Sequence, residues 1–146
     1  MTLNDILSEK GRAVFSISPD ATLDQAVAVL VEHNVGALLV CHEECGEQRT
    51  VAGIISERDL LHAHAQGKIP FGKFHVRDVM TTTLFTGTPE DSVEQVMGVM
   101  TSRRIRHLPV LDGGRLVGMI SIGDVVKAQI GRLSMENRFL QDYIRG

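Results

Sequence analysis

The chain contains an internal repeat, and this repeat constrains its fold more than any other feature. Residues 22–40 align without a gap on residues 92–110 at a spacing of 70. Residues 51–60 align on residues 116–125 at a spacing of 65, and the five-residue difference falls in the polar stretch Cys41–Arg49. Such an insertion in a surface loop costs little stability. Because a unit of this size buries too little apolar surface alone, we expect the two copies to pack together, with clefts for a ligand between them.

The composition indicates a soluble globular chain and argues against two classes of binding protein. Its 146 residues, of which 43% are hydrophobic, suit one compact domain or two half-size units that share a core. A net charge of −3 argues against a general nucleic-acid binder, which requires a dense basic face. No apolar run has the length of a membrane span, and Met-Thr-Leu-Asn-Asp does not begin a signal peptide. We therefore expect a cytoplasmic protein without membrane or nucleic-acid partners.

The periodicity predicts the order β-α-β-β-α in each copy, which makes the fold α/β (α+β). The first copy covers residues 10–66 and the second covers 80–131, with a linker over 67–79 and a helical tail over 133–145. Asp112-Gly-Gly114 between apolar runs predicts a tight hairpin turn. The predicted helices cover residues 22–34, 56 to about 65, 92 to about 103 and 121 to about 132; the predicted strands cover 14–17, 36–40, 51–55, 83–86, 108–111 and 116–120.

One short motif recurs with the same spacing in both copies. It reads Gly53-Ile-Ile-Ser-Glu-Arg-Asp59 in the first and Gly118-Met-Ile-Ser-Ile-Gly-Asp124 in the second. In each, a hydroxyl and a carboxylate follow a strand at the start of a helix, where free N–H groups favour an anion. An ionised Asp only accepts hydrogen bonds, so it suits the two hydroxyls of a ribose. The alternative is that Ser and Asp only cap the helix; the recurrence favours a ligand site.

With these motifs, the chain resembles the CBS domain family, named after cystathionine β-synthase. The other matching segments are Ser18-Pro-Asp-Ala-Thr-Leu, Thr88-Pro-Glu-Asp-Ser-Val and Arg106-His-Leu-Pro-Val110. The resemblance covers roughly residues 10–131, and the layout is similar to that of small stand-alone bacterial CBS-pair proteins. It implies two tandem repeats with pseudo-twofold symmetry (a Bateman module) and a C-terminal helix.

The resemblance implies a regulatory, non-catalytic function. CBS pairs typically bind adenosine-containing ligands such as AMP, ADP, ATP, NAD(H) or S-adenosylmethionine, and we favour AMP or NAD(H) here, with no obligatory cofactor. The family also implies a homodimer. We expect the apolar stripes of the helices that begin at Ser56 and Ser121 to form much of its contact, through Leu60, Leu61, Val125 and Val126, with a further contribution from the tail. The regulated partner protein is not identified by the sequence. The alternatives are a structural dimerisation module with vestigial clefts and a nucleotide-metabolising enzyme, for which no catalytic motif is present.

The resemblance also assigns the ligand-binding residues. Asp59 and Asp124 would hold the ribose hydroxyls, and Ser56 and Ser121 would lie near the ribose or phosphate. The remaining contacts to the base would come from Val35, Gly36 and Ala37, from Arg106, His107, Leu108 and Pro109, and from Ser16, Ile17 and Thr86.

Three arginines are the phosphate candidates, because a guanidinium group matches phosphate oxygens. They are Arg58, Arg104 and Arg106, whereas Arg103 is equally well explained as a solvated residue at a helix end. The second motif has Gly123 where the first has Arg58, so we expect the two sites to be unequal.

A metal site is the remaining alternative, and we expect none. Cys41 and Cys45, together with His62 and His64, could complete a tetrahedral zinc site. The two cysteines are separated by three residues and no second cysteine pair exists, so Cys41 is better explained as a small buried hydrophobic residue.

Overall fold

A computed structural model describes residues 1–42 and 51–145, and the chain divides in it into two compact units. The first-copy unit contains Ala13–Phe85 and Gly113–Leu116, and the second-copy unit contains Met1–Arg12, Thr86–Asp112 and Val117–Gly146. The helices are α1 (Leu3–Lys10), α2 (Leu23–His33), α3 (Glu57–Ala65), α4 (Val93–Arg103) and α5 (Ile122–Arg145); the strands are β1 (Ser16–Ile17), β2 (Ala37–Cys41), β3 (Val51–Ser56), β4 (His107–Asp112) and β5 (Arg115–Ser121). None of the helices in the described ranges combines the length and apolar character that a membrane crossing requires.

The first-copy unit is built on a three-stranded sheet in the order β1-β2-β3. β1 is parallel to β2, with Ser16 opposite Leu39, and β2 is antiparallel to β3, with Ala37 opposite Ser56. The sheet is extended at β3 by Thr81, which exchanges two backbone hydrogen bonds of 2.8 and 3.0 Å with Ile54. The buried residues that cover this sheet are Leu23, Ala26, Leu30, Leu38, Val40, Ile55, Leu60, Ala63 and Val76.

In the second copy a single bridge repeats the pairing of β1 with β2, and residues 83–86, which were predicted as a strand, do not form one. Gly87 forms a parallel bridge to Val110. These two residues correspond, at a spacing of 70, to Ile17 in β1 and its partner Val40 in β2. Gly113 and Gly114 between β4 and β5 both have positive φ, at 58° and 81°. A type I′ turn requires positive φ at both central residues, so the predicted hairpin is confirmed.

Helix α1 was not predicted from the sequence. Thr2 and Asp5 form a reciprocal capping box at its start, and Leu3 and Leu7 are fully buried in the second-copy unit. The signal for it is a third internal alignment: Thr2-Leu-Asn-Asp-Ile-Leu7 on His75-Val-Arg-Asp-Val-Met80, at a spacing of 73. His75 and Asp78 form the same capping box before a 3-10 helix, Val76–Asp78. The repeated pattern therefore continues upstream of residues 10 and 80.

Helix α5 differs from the prediction of a helix to about Arg132 followed by a separate tail. It is one continuous helix of 24 residues, and every residue from Ile130 to Ile144 is exposed. Only Gly131 weakens the expected junction, and one glycine inside a helix costs only about 1 kcal/mol relative to alanine. The helix therefore continues through it.

Candidate functional site

The predicted site of the first copy is formed where β2 begins and β3 ends. The backbone N–H of Glu57 donates to the carbonyl of Gly36 at 3.0 Å, which holds the segment Val35–Ala37 beside the first turn of α3. Ser56 caps α3, because its Oγ accepts from the Asp59 N–H at 3.3 Å. Asp59 Oδ2 in turn accepts from the Ser56 N–H at 2.9 Å and from its hydroxyl at 3.1 Å. Backbone, hydroxyl and carboxylate therefore converge on one helix N-terminus.

The second copy has the same arrangement. The Ile122 N–H donates to the Arg106 carbonyl at 2.8 Å. In the internal alignment Ile122 corresponds to Glu57, at a spacing of 65, and Arg106 corresponds to Gly36, at a spacing of 70. Ser121 Oγ accepts from the Asp124 N–H at 3.1 Å, and Asp124 Oδ2 accepts from the Ser121 N–H at 2.9 Å. Both motifs are therefore capping boxes, which is the structural alternative considered above. In both, the cap uses the Oδ2 atom of the carboxylate.

The two carboxylates differ in their second partner. Asp59 Oδ1 accepts a hydrogen bond of 3.2 Å from the hydroxyl of Thr81. Asp124 Oδ2 instead lies 2.6 Å from the ammonium group of Lys10, which also donates to the Met119 carbonyl at 2.9 Å. In each unit the partner comes from the upstream segment, but it is a neutral hydroxyl in one and a cation in the other. The two motifs are therefore chemically unequal.

The ion pair sets the protonation of Asp124. Burial raises the pKa of its carboxyl group, but the hydrogen bonds from Lys10 and the Ser121 N–H and the charge of Lys10 outweigh burial. The net pKa lies below the ordinary value of 3.8. A lowered folded-state pKa stabilises the fold at pH values above the unfolded pKa, and this stabilisation is lost as the pH falls through the folded pKa.

We expect Lys10→Met to lower the free energy of unfolding by about 0.5–1 kcal/mol at neutral pH, a value that allows for partial solvent exposure of the pair. The difference from the parent chain should shrink as the pH falls through the lowered pKa of Asp124, because its carboxyl group then becomes protonated. Urea unfolding of the variant and the parent chain at several pH values measures this difference in the free energy of unfolding. Lys127→Met is the control, because Lys127 forms no ion pair with any described residue. A pH-independent loss for Lys10→Met would contradict the role of the ion pair.

The glycine of each motif is required by packing rather than by a ligand. A Cβ atom on Gly53 would lie 2.7 Å from the Thr81 carbonyl oxygen and 3.1 Å from Met80 Sδ. A Cβ atom on Gly118 would lie 2.6 Å from Leu7 Cδ2. Met80 and Leu7 are equivalent in the alignment at a spacing of 73. The motif glycine therefore leaves room for the upstream segment in each unit.

The other predicted contacts divide into three groups. Ser16 and Ile17 lie in β1, on the opposite side of β2 from Ser56, and Thr86 is exposed immediately before the bridge residue Gly87. Within β2 and β4, the predicted base contacts Ala37, Leu108 and Pro109 are buried, whereas His107 is partly exposed. The three arginine candidates Arg58, Arg104 and Arg106 are all exposed.

These three arginines are available to an anion. None forms an ion pair within residues 1–42 and 51–145. Arg104 ends α4 with a left-handed backbone conformation, φ 55°, as Asn34 does with φ 51° at the end of α2. Arg106 is tied to the site by its carbonyl bond to Ile122.

Sequence reasoning missed Lys10 and Thr81, the second partners of the two carboxylates. The alignment at a spacing of 73 could have found the segments that carry them. It could not have found the residues, because Lys10 aligns on Thr83 and Thr81 aligns on Ser8. The first pair does not conserve its chemistry between the copies, and in the second pair the hydroxyl is kept but the partner of Asp124 is Lys10.

The structure gives no support to a metal site in the part of the chain that it describes. Residues 1–42 and 51–145 contain no cluster of three or more His, Cys, Asp or Glu side chains that could hold an ion. Cys41 is buried in β2, as expected, while Cys45 lies outside the described residues.

Comparison with known proteins gives a consistent result. A family model described as "CBS domain" matches residues 3–66 and 76–131. The "CBS domain-containing protein CBSX3, mitochondrial" of Arabidopsis thaliana is 39% identical over 99% of this chain and 72% of its own length. The CBS domain-containing protein YhcV of Bacillus subtilis is 35% identical over 83% of this chain and 82% of its own. The crystal structure of the CBS-domain containing protein ATU1752 from Agrobacterium tumefaciens superposes with a TM-score of 0.82 at 37% identity, over 88% of this chain and 99% of that one.

Proposed function

Because the chain belongs to the CBS domain family, whose pairs are regulatory modules, we propose that it senses an adenosine-containing nucleotide through the Ser–Asp motif of each copy. AMP and NAD(H) are the favoured ligands, and the function is non-catalytic. The observation that carries the proposal is the duplicated arrangement of a carboxylate, a hydroxyl and a backbone carbonyl at a helix N-terminus, with the same bonds in both units.

The chemistry of a nucleoside phosphate suits these groups. An Asp carboxylate accepts hydrogen bonds from the vicinal hydroxyls of a ribose. In both copies the helix cap uses the Oδ2 atom of this carboxylate. Exposed guanidinium groups of Arg58, Arg104 and Arg106 can bind phosphate oxygens in two-point fashion. A related fold supports the ligand class: the CBS domain pair of MJ0100 was crystallised with 5′-methylthioadenosine and S-adenosyl-L-methionine. It shares 24% identity with this chain, at a TM-score of 0.72.

The partners of the two carboxylates support a ranking of the sites. The 2.6 Å ion pair with Lys10 partly neutralises the Asp124 carboxylate as an acceptor for ribose hydroxyls, whereas the second partner of Asp59 is the uncharged hydroxyl of Thr81. Both bonds have an ionised acceptor, but only the bond from Lys10 adds the attraction between opposite charges. We therefore propose that the first copy provides the tighter site and that Lys10→Met strengthens binding at the second.

Isothermal titration calorimetry with AMP, ATP, NADH and S-adenosylmethionine tests the proposal, with GMP and CMP as controls. We expect saturable binding of adenosine ligands, a rise in the melting temperature, and weaker effects of the control nucleotides. No heat and no melting shift with any adenosine ligand at millimolar concentration would contradict the sensor function. Such a result would favour the alternative of a structural module with vestigial clefts.

We also propose that the protein is a homodimer, although the expected contact residues need correction. Leu60 and Val125 are buried in their own units, while Leu61 and Val126 are exposed. Consecutive residues on an α-helix point about 100° apart, so all four cannot share one surface. Only the exposed pair is available for a dimer contact.

Sedimentation at micromolar concentration should give the dimer mass for the parent chain. Leu61→Asp and Val126→Asp should weaken the dimer, because a charge buried in an apolar contact is unfavourable. Val31→Asp is the matched control, since Val31 on α2 is 74% exposed and Leu61 is 69% exposed. A monomer mass for the parent would contradict the homodimer.

A further inference from the structure

The distal half of α5 exposes a row of large apolar side chains that is interrupted by one polar residue, Asn137. Ile130 is 59% exposed, Leu133 and Leu140 are 62% exposed, and Ile144 is 80% exposed. Val126 extends the row toward the folded unit. Contiguous apolar surface of this kind on a protein marks an interaction site.

The spacing of this row is that of a two-stranded coiled coil. Its members follow one another at alternating intervals of four and three residues: Val126, Ile130, Leu133, Asn137, Leu140 and Ile144. In heptad terms, the a positions are Ile130, Asn137 and Ile144, and the d positions are Val126, Leu133 and Leu140. Among parallel coiled coils, a β-branched residue at a with leucine at d favours two strands.

Asn137 favours a second copy of the same helix as the occupant of this surface. A polar side chain in the middle of an apolar row would be unfavourable against an unrelated apolar groove. In a parallel pair of identical helices in register, the two Asn137 side chains lie opposite one another and hydrogen-bond across the contact. A single asparagine at an a position is known to fix both register and the number of strands.

The flanking residues are compatible with this pairing. In a parallel pair, each g residue lies next to the e residue of the following heptad on the other helix, which pairs Gln129 with Ser134 and Glu136 with Gln141. Neither pair brings like charges together. From Val126 to Ile144 the helix rises about 27 Å, which is too short for a coiled coil to be stable alone. The row is, however, continuous with Val126, a residue of the proposed dimer contact.

We propose that residues 126–144 of α5 form a parallel, in-register coiled coil with the same segment of a second copy, with Asn137 facing Asn137. The contact is independent of nucleotide binding and adds to the contact at Leu61.

Cysteine cross-linking tests the register directly. In the proposed pair, residues at position 137 approach within disulfide reach, so Asn137→Cys should form a covalent dimer under mild oxidation. Asp142→Cys, at the f position on the far side of the helix, is the matched control, and the parent chain controls for linkage through its own thiols. Rapid dimer formation by Asn137→Cys alone is the expected result. Equal linkage of the 137 and 142 variants would overturn the proposal, even if a dimer forms elsewhere.

A second set of variants distinguishes association through the heptad row from non-specific association through exposed apolar side chains. Leu133→Asp combined with Leu140→Asp should weaken self-association at least about tenfold, because it buries charge in the contact. Phe139→Asp should leave it unchanged, although Phe139 is 82% exposed, because position 139 lies off the row. Circular dichroism verifies that the variants stay folded. Equal effects of the two changes on sedimentation would also overturn the proposal.

Discussion

Asp124→Ala is expected to weaken adenosine-nucleotide binding at the second copy at least about tenfold. The substitution removes the acceptor for two ribose hydroxyls, and hydrogen bonds to a charged group contribute about 1.5–3 kcal/mol each. Part of this loss is offset because Lys10 already partly neutralises the carboxylate of the parent chain. Asp59→Ala should have the equivalent effect at the first copy, so each variant should remove one of two binding events in a titration.

The same substitution also removes part of a helix cap. Asp124 accepts from the Ser121 N–H, so its loss should cost about 1 kcal/mol of stability, while Ser121 still accepts from the backbone N–H of residue 124. Asp78→Ala is the matched control: Asp78 accepts from the His75 N–H at 3.0 Å in a similar cap outside the motifs. It should lose stability but not affinity. If both motif variants bind like the parent while folded, the motifs are only helix caps.

Gly53→Ala is expected to lower the free energy of unfolding by about 1–3 kcal/mol, the range for overpacking a core. The added Cβ would lie 2.7 Å from the carbonyl oxygen of Thr81, a backbone atom that cannot rotate away. Relief requires moving the strand segment that pairs Thr81 with Ile54. The change should therefore also disturb the hydroxyl bond from Thr81 to Asp59 and weaken the first nucleotide site.

Gly98→Ala is the control, because we expect it to raise the free energy of unfolding rather than lower it. Gly98 is an exposed position inside α4, and a Cβ there would meet no atom within 4 Å. Alanine should stabilise the helix by about 0.5–1 kcal/mol. Denaturant unfolding of Gly53→Ala and Gly98→Ala measures the two changes in the free energy of unfolding. A Gly53→Ala variant as stable as the parent would show that the segment around Thr81 does not pack against β3 in solution.

The features predicted correctly from the sequence are those with local signals. The hairpin followed from Asp112-Gly-Gly114, and the predicted helices over residues 22–34 and 56 to about 65 match α2 and α3 to within about one residue. The family comparison confirms the tandem CBS pair and its α+β class. These features depend on turn chemistry and periodicity, which a single sequence displays.

The features that were missed depend on contacts distant in sequence. Nothing near Lys10 indicates that it meets Asp124, more than a hundred residues later. Helix α1 is short and largely polar, and its buried residues Leu3 and Leu7 gain their burial from the second-copy unit. The dimer residues were assigned from hydrophobicity alone, which does not separate the inward Leu60 from the outward Leu61.

The interleaved composition of the two units has a consequence for the nascent chain. Residues 1–12 belong to the same unit as residues 86–112 and 117–146, so α1 leaves the ribosome long before the segments that bury Leu3 and Leu7. At about 5–20 residues per second, that interval lasts several seconds. During it the first helix has no hydrophobic support, and a helix of 8 residues is not stable alone in water. The second-copy unit therefore completes its fold only after its later segments have left the ribosome, and truncating the chain after the first copy leaves α1 without the segments that bury it.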